Sequence, residues 1–289
     1  MANKQTIGFI GTGVMGKSMA HHLIKAGYAL HVYTRTKEKA NELIQEGAIW
    51  ESTVAELTNA SDVVITMIGT PADVEEVYFG KNGIIENAKP GTYIIDMTTS
   101  KPSLAIEIYE KAKVKGIYAL DAPVSGGDVG AKNAKLAIMV GGDEEAFEKM
   151  TPIFNIMGEN IILQGEAGAG QHTKMVNQIS IAPAMIGLCE ALMYAEKAGL
   201  DPESVLGSIS TGAAGSWSLS NYAPRMIKGD FAPGFAIKHY IKDMKIALES
   251  AQEMNLSTPG LSLALEMYEA LAKRGWEESG IHALIKYFE

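Results

Sequence analysis

Residues 7–16 read IGFIGTGVMG, and this stretch decides the fold of the first half of the chain. Its first four residues predict a short apolar strand, and the GxGxxG that follows opens a segment with helical periodicity. A glycine-rich loop without a ligand is the alternative, but the flanking strand and helix favour a dinucleotide-binding turn. There Gly11 permits the tight turn, Gly13 lets the backbone approach a pyrophosphate, and Gly16 lets helix and strand pack closely. The turn residues predicted to bind the cofactor are Gly11, Thr12, Gly13, Val14, Met15 and Gly16.

Short apolar runs alternate with amphipathic segments of helix length through residues 1–165. This alternation predicts βαβ units and therefore a doubly wound, mostly parallel sheet of the Rossmann type. The predicted helices between the strands include 15–26 and 102–115, each ended by a glycine. The predicted strands are residues 7–10, 29–33, 63–67, 93–96, 118–122, 136–140 and 160–163.

Strand patterns stop at about Gly168, and helical periodicity continues to the end of the chain. The predicted fold class is therefore α/β, with a Rossmann domain over residues 1–165 and an all-α domain over residues 166–289. The segment 172–198 contains only Pro183 as a helix breaker, which predicts one long helix joining the domains, either straight or kinked at that proline. The other predicted helices are 201–210, 238–254 and 259–273.

Composition narrows the classes of function. A formal charge of −9 disfavours binding to nucleic acid or to an acidic membrane surface. The single cysteine, Cys189, excludes an intramolecular disulfide, is expected to be buried, and fits a reducing cytoplasm. We expect no signal peptide and no membrane span, because no apolar stretch approaches about 20 residues. The six histidines show no ligand spacing, so we predict no metal.

The residues at the end of the second predicted strand indicate whether the cofactor is NAD or NADP. NAD-specific sites usually place an acidic residue there, but this chain has Thr34. Arg35 and Lys39 offer cations suited to a 2′-phosphate, and with Thr36 they form the predicted adenosine end of the site. The pattern favours NADP, with NAD still possible. The alternative is a solvated basic turn.

Four blocks of sequence together identify a family resemblance. They are residues 8–16 (GFIGTGVMG), 121–127 (DAPVSGG), 168–178 (GAGQHTKMVNQ) and 242–244 (KDM). With these blocks the chain resembles, essentially from end to end, the β-hydroxyacid dehydrogenase family. That family includes 3-hydroxyisobutyrate dehydrogenase, tartronate semialdehyde reductase and the glyoxylate/succinic semialdehyde reductases. The resemblance implies an active site in a cleft between a Rossmann domain and a helical domain.

The resemblance also implies roles for individual residues. Lys174 is implied to be the catalytic acid/base, a role that suits an ammonium held against a carbonyl oxygen that gains negative charge. From spacing alone, it could equally be a solvated lysine on a helix. Ser125, Gly126 and Gly127 are implied to hold the substrate carboxylate, although Ser-Gly-Gly also forms ordinary turns.

Further implied contacts follow from the remaining blocks and from the segments beside them. Thr99 is implied to lie on the nicotinamide side of the cofactor, with a helix cap as the alternative. The family often has two asparagines where this chain has Asn177 and Gln178, so which amide contacts substrate stays open. Lys242 is implied to contact the cofactor. Phe235 and Asp243 are implied to border the substrate, although Phe235 could be ordinary core.

The predicted activity is interconversion of a small β-hydroxy acid and its semialdehyde, of the 3-hydroxyisobutyrate, glycerate or 4-hydroxybutyrate type, by hydride transfer. Rival interpretations are a non-catalytic dinucleotide-binding sensor, an imine reductase and a 6-phosphogluconate dehydrogenase, since one fold supports several functions. The expected partners are a small carboxylate-bearing substrate and further copies of the chain, in a homodimer or homotetramer. The substrate's identity and the direction of flux are not predicted.

Overall fold

The computed structural model describes residues 4–289, which fold into two compact units. Unit 1 ends at Lys174, and unit 2 spans Met175–Glu289. The division lies inside a helix, nine residues beyond the boundary predicted at 165/166. The first turns of that helix belong to unit 1 because hydrogen bonds tie them to its strands.

A nine-stranded sheet forms the centre of unit 1. Its strands are β1 (Ile7–Ile10), β2 (Leu30–Tyr33), β3 (Ile49–Trp50), β4 (Val63–Thr66), β5 (Tyr93–Asp96), β6 (Tyr118–Asp121), β7 (Val124–Ser125), β8 (Leu136–Gly142) and β9 (Gly158–Gly165). The order is β3-β2-β1-β4-β5-β6-β8-β7, with β9 paired to β8. Strands β1 to β6 run parallel, whereas β8 runs antiparallel to β6 and β7 and parallel to β9. The predicted mostly parallel sheet is confirmed.

Both faces of this sheet are buried. Successive residues of a strand lie in different apolar clusters. Phe9 of β1 and Ile65 of β4 belong to one cluster, and Ile10 of β1 and Val64 of β4 belong to the other. Burial on both faces explains why these strands read as continuous apolar runs. The helices of unit 1 are α1 (Val14–Lys25), α2 (Asn41–Gln45), α3 (Val54–Asn59), α4 (Pro71–Phe79), α5 (Ile84–Asn87), α6 (Pro102–Val114), α7 (Gly127–Lys132) and α8 (Glu144–Met157), with a 3-10 turn at Lys37–Ala40.

Unit 2 is built from helices around its own apolar core. Helix α9 (Ala169–Lys197) runs through Pro183 as one helix, as the long predicted helix requires. The single cysteine, Cys189, is buried in this core as predicted, and burial raises its pKa to about 12. The other helices are α10 (Pro202–Ile209), α11 (Trp217–Asn221), α12 (Ala223–Ile227), α13 (Ile237–Glu253) and α14 (Pro259–Leu271), followed by a π-helical turn at Ala272–Trp276 and a 3-10 helix at Ile281–Tyr287.

Helix α9 is the element to compare with the expectation of no membrane span. Within residues 4–289 it is the one helix long and apolar enough to cross a membrane by length and composition, and 44% of its apolar window is buried. No unbroken apolar run in α9 approaches about 20 residues, and the helix meets the criterion because uncharged polar residues interrupt its apolar run without making it hydrophilic. The core helix of a globular unit has the same properties. Since α9 contributes Met185 and Leu188 to the core of unit 2, we interpret it as such a helix.

Two strands were missed by the sequence prediction. Strands β3 and β7 each contain only two residues, too few for a period-2 pattern to be recognised. Ser125, which the resemblance implies holds the substrate carboxylate and which could otherwise belong to an ordinary turn, lies on β7 and pairs with Ala137 of β8. The polypeptide therefore enters the Ser-Gly-Gly segment from a strand, which fixes where that segment begins.

Candidate functional site

The three glycines of the first turn are required for different reasons. Gly11 has a φ of +99°, and a Cβ there would lie 2.2 Å from the carbonyl oxygen of Met67. A Cβ on Gly16 would lie 1.9 Å from the carbonyl oxygen of Gly11, so helix α1 could not pack against the turn. A Cβ on Gly13 would meet no heavy atom within 4 Å. The fold itself needs Gly11 and Gly16, whereas Gly13 is exposed and faces open space.

The beginning of helix α1 is suited to an anion. Its N-cap is Gly13, which offers no side chain to the first N–H groups, and its first turn has no acidic residue. These N–H groups carry partial positive charge, so they attract phosphate. The side chain of Thr12 is buried, and its Oγ1 has no hydrogen-bond partner among the described residues. Val14 is exposed and Met15 is half-buried. The turn fits the pyrophosphate of a dinucleotide.

The end of β2 presents cations to solvent. Arg35, Thr36 and Lys39 are all exposed. The Arg35 guanidinium lies 3.0 Å from a carboxylate oxygen of Asp73, while the other oxygen of Asp73 accepts hydrogen bonds from Thr70 at the start of α4. An ion pair with so exposed an arginine is weak, about 0–1 kcal/mol, so a phosphate can readily replace the carboxylate.

The loop after β5 carries Thr99 and is held by buried hydrogen bonds. Thr98 donates its N–H to Asp96 Oδ1 (3.0 Å), and its hydroxyl accepts from the N–H of Ile68 (3.0 Å). Burial raises the pKa of Asp96 to about 6. Thr99 itself is half-buried. The loop is fixed by the residue immediately before the predicted nicotinamide contact.

The first turn of α9 is fastened to the end of β6. Asp121 accepts hydrogen bonds from the N–H groups of Gly168 (2.7 Å) and Gln171 (2.8 Å). Burial raises the pKa of the Asp121 carboxyl, against the lowering effect of these donors. A Cβ on Gly170 would lie 2.4 Å from the carbonyl oxygen of Met139 on β8, so the helix and the strand are in close contact.

Asp96, Asp121 and Gln171 were not predicted as functional residues. Asp121 and Gln171 stand inside two of the four sequence blocks that carry the family resemblance, which is a signal that could have identified them. Asp96 ends a predicted strand, and a carboxylate at the carboxyl end of a parallel strand was the available signal.

Lys174 is buried, with 7% of its surface exposed, and it stands one turn after Gln171 on α9. Among the described lysines it is the one that is buried, which argues against a solvated helix lysine. A lysine excluded from bulk water is unusual unless its charge has a function or a partner.

The Ser-Gly-Gly segment follows β7 directly. Gly126 and Gly127 have φ values of +127° and +63°, which favour glycine, and a Cβ on Gly127 would meet no atom within 4 Å. Ser125 is half-buried. The segment therefore presents open backbone beside a hydroxyl, the composition expected of a carboxylate cradle.

Unit 2 connects four predicted residues through two hydrogen bonds and one ion pair. Asn177 Nδ2 donates to Gln178 Oε1 (2.7 Å), Gln178 Nε2 donates to Asp243 Oδ2 (2.6 Å), and the Lys242 ammonium lies 3.0 Å from Asp243 Oδ1. Gln178 and Asp243 are buried, whereas Asn177 is half-buried. Within unit 2 Gln178 is therefore engaged at both ends of its amide.

Phe235 lies among the apolar residues of unit 2. It is half-buried, and its ring centroid is 5.5 Å from that of Tyr240. These contacts are those of an ordinary core aromatic. Residues 4–289 contain no group of three or more His, Cys, Asp or Glu side chains that could hold a metal ion.

Comparisons with known proteins cover nearly all of the chain. Residues 6–165 match the family model described as the NAD binding domain of 6-phosphogluconate dehydrogenase, and residues 168–288 match that of the NAD-binding domain of NADP-dependent 3-hydroxyisobutyrate dehydrogenase. An uncharacterised oxidoreductase of Bacillus subtilis is 65% identical over 283 residues, with 98% of each chain covered. The 2-hydroxy-3-oxopropionate reductase of Escherichia coli is 40% identical over 283 residues, covering 98% of this chain and 97% of that one.

A solved structure gives the same result. The 3-hydroxyisobutyrate dehydrogenase of Mycobacterium tuberculosis, described with L-serine, is 32% identical, covers 99% of each chain, and superposes with a TM-score of 0.90.

Proposed function

The chain belongs to the β-hydroxyacid dehydrogenase family, whose members are NAD(P)-dependent oxidoreductases, and from this premise we propose that it interconverts a small β-hydroxy acid and its semialdehyde. The observation that carries the proposal is the burial of Lys174 one turn beyond a helix start fastened to β6. Such a lysine has a fixed position and little access to bulk water, as an acid/base residue requires.

The chemistry proposed for the chain's own residues is proton transfer and charge stabilisation. A bound reduced nicotinamide dinucleotide supplies the hydride. The Lys174 ammonium donates its proton to the aldehyde oxygen, and it stabilises the negative charge that develops there before the proton moves. In the oxidative direction, the neutral amine accepts the proton of the alcohol. The amino group therefore returns to its starting state after one turnover in each direction.

The substrate carboxylate is proposed to bind at the Ser125-Gly126-Gly127 segment. Backbone N–H groups and one hydroxyl can hold a carboxylate through charge-assisted hydrogen bonds without a cationic side chain. Of the two amides, we assign the substrate contact to Asn177, because Gln178 is buried and occupied by Asp243. Phe235 and Asp243 are proposed, on the family resemblance alone, to border the substrate and not to react.

NADP is the proposed preferred cofactor. The support is the exposed pair Arg35 and Lys39 at the end of β2, with Thr34 where an acidic residue would accept from ribose hydroxyls. Thr36 completes this adenosine end. Lys242 and Thr99 are proposed contacts at other points of the same cofactor.

The test is an assay at 340 nm with NADPH and NADH against glyoxylate, succinic semialdehyde, tartronate semialdehyde and methylmalonate semialdehyde. Wild type is compared with Lys174→Ala and with Lys197→Ala, an exposed lysine on the same helix. We expect kcat to fall by about 10²- to 10⁴-fold in Lys174→Ala, with NADPH affinity within about threefold of wild type. Lys197→Ala should match wild type. Binding of NADPH without oxidation by any of the four substrates would contradict the substrate class, and absence of dinucleotide binding would contradict the whole proposal.

We further propose a homodimer or homotetramer in the cytoplasm. Exposed apolar side chains on unit 2, including Tyr194, Leu200 and Leu263, support self-association. Sedimentation should give a multiple of 30.9 kDa, and a monomer of that mass would refute the assembly.

A further inference from the structure

We propose that Gln171 is a positioning residue. Its side chain holds the loop that carries Thr99 at a fixed position relative to the helix that carries Lys174, the proposed proton donor. The inference rests on the proposed function for the roles of Thr99 and Lys174. The geometry that carries it lies within unit 1.

The side-chain amide of Gln171 forms hydrogen bonds with the residues on both sides of Thr99, and we call this pair of hydrogen bonds the Gln171 bracket. Its Nε2 donates to the carbonyl oxygen of Thr98 (2.7 Å), and its Oε1 accepts from the N–H of Ser100 (2.9 Å). These two backbone groups belong to the residues immediately before and after Thr99. The side chain thus pairs with the loop as a neighbouring strand would, through one donor and one acceptor, and it leaves the Thr99 side chain outside the pairing.

The bracket is fully buried. Gln171 and Ser100 are 0% exposed and Thr98 is 1% exposed, so water cannot replace a lost partner without entering the core. The loop is also held from its other side, where Thr98 bonds to Asp96 and Ile68. Gln171 is therefore the connection between an already ordered loop and helix α9.

The same residue is held on its helix side. Its N–H donates to Asp121 Oδ2, while Gly168 donates to the other carboxylate oxygen. Lys174 follows three residues later, where side chains of a helix lie on adjacent positions of one face. A shift of Gln171 would therefore move the loop and the lysine relative to each other.

An amide is the side chain suited to this position. It offers a donor and an acceptor at once, and the length of glutamine is needed to reach two backbone groups from a helix. Glutamate has the same shape, but its ionised carboxylate cannot donate to Thr98, and it would stand close to the buried carboxylate of Asp121. Methionine keeps the length and loses both bonds.

Reaction rate is the property that should respond. Transfer of a hydride and a proton requires reacting groups aligned to a fraction of an ångström, and a misplacement of 1 Å can cost about 10²-fold in rate. Cofactor affinity depends mainly on the phosphate turn and the end of β2, which Gln171 does not contact. Loss of the bracket should therefore appear in kcat and not in NADPH binding.

The experiment compares wild type, Gln171→Met, Gln171→Glu and the control Ile153→Ala, which removes a buried core side chain from α8 outside the predicted site. Steady-state kinetics give kcat and KM for NADPH. Hydrogen exchange of the Ser100 amide is measured in the protein without cofactor, by NMR or fragment-resolved mass spectrometry.

We expect Gln171→Met to lower kcat by about 10- to 100-fold with KM for NADPH within about threefold, and Gln171→Glu to lower it at least as far. The Ser100 amide should exchange at least about tenfold faster in both variants. Ile153→Ala should keep wild-type kcat and Ser100 protection even though its thermal stability falls.

Unchanged kcat, or unchanged Ser100 exchange, in Gln171→Met overturns the inference, as does an equal loss of kcat in Ile153→Ala. A wild type that oxidises NADPH with no substrate of the panel overturns the proposed function instead. In that case the Ser100 exchange still decides whether Gln171 holds the loop.

Discussion

Asp96 and Asp121 are register partners at the carboxyl ends of the adjacent parallel strands β5 and β6, and both side chains are buried. Asp96 supports the Thr98 loop and Asp121 supports the first turn of α9. Two acidic groups brought together in the interior raise each other's cost of ionisation. This unfavourable pair lies where the proposed cofactor loop and the proposed catalytic helix meet the sheet.

Asp96 should make stability depend on pH. Burial raises its pKa from 3.8 to about 6, so the folded state binds its proton more tightly than the unfolded state does. Its contribution to stability is therefore fully present below about pH 4 and is lost as the pH rises to about 6, by roughly 3 kcal/mol in total. Asp96→Asn keeps an acceptor for Thr66 and Thr98 but cannot ionise. Between pH 4.5 and 7.5, its Tm measured by scanning fluorimetry should rise by several degrees relative to wild type. The Tm of the exposed Glu144→Gln variant should change with pH as that of wild type does. If the Tm of Asp96→Asn also changes with pH in parallel with wild type, the prediction is refuted.

The reasons for glycine at positions 13 and 16 of the first turn can be tested separately. Gly13→Ala meets no neighbour and keeps an ordinary extended backbone, so its Tm should stay within about 2 °C of wild type while NADPH affinity falls at least tenfold. Gly16→Ala places a Cβ against the carbonyl oxygen of Gly11 and should lower the Tm markedly. Differential scanning fluorimetry with and without NADPH measures both effects. Equal loss of Tm in the two variants would show that Gly13 also serves the fold.

Arg35 should determine the preference between cofactors. A charge-assisted hydrogen bond to a phosphate is worth about 1.5–3 kcal/mol, so Arg35→Ala should lower kcat/KM for NADPH by about 10- to 100-fold. The value for NADH should change by less than about threefold, because NADH lacks the 2′-phosphate. Arg274→Ala removes an exposed arginine outside the predicted site and serves as the control. An equal fall with both cofactors would contradict a role in specificity.

Asp243 should stabilise unit 2. It is 2% exposed, accepts from Gln178, and lies beside the Lys242 ammonium. Asp243→Ala removes the acceptor of a buried amide and should lower the free energy of unfolding by about 1–3 kcal/mol, measured by urea titration. Glu253→Ala, an exposed acid at the end of the same helix, should change it by less than about 0.5 kcal/mol. A loss of similar size in Glu253→Ala would mean that general helix effects, not the buried contact, account for the result.

Much of the site could be predicted from sequence because its residues stand in short, contiguous motifs. Lys174 and Ser125 were proposed through a resemblance, since a single lysine or serine carries no signal of its own. Phe235, placed at the substrate by the same resemblance, packs beside Tyr240 as a core aromatic does. The partner of Arg35 is Asp73, a residue 38 positions away, which the local sequence does not indicate.

By itself the sequence determined the α/β class, the phosphate-binding turn and the long helix, because strand and helix periods and the needs of glycine-rich turns are local properties of the chain. Only the tertiary structure decided that Gln171 brackets Thr99, that Asp121 holds the start of α9, and that Gln178 pairs with Asp243. Each of these bonds joins residues at least 47 positions apart. They form because folding buries polar groups that must then be satisfied by whatever partner the packing brings near, and periodicity along the chain does not specify that partner.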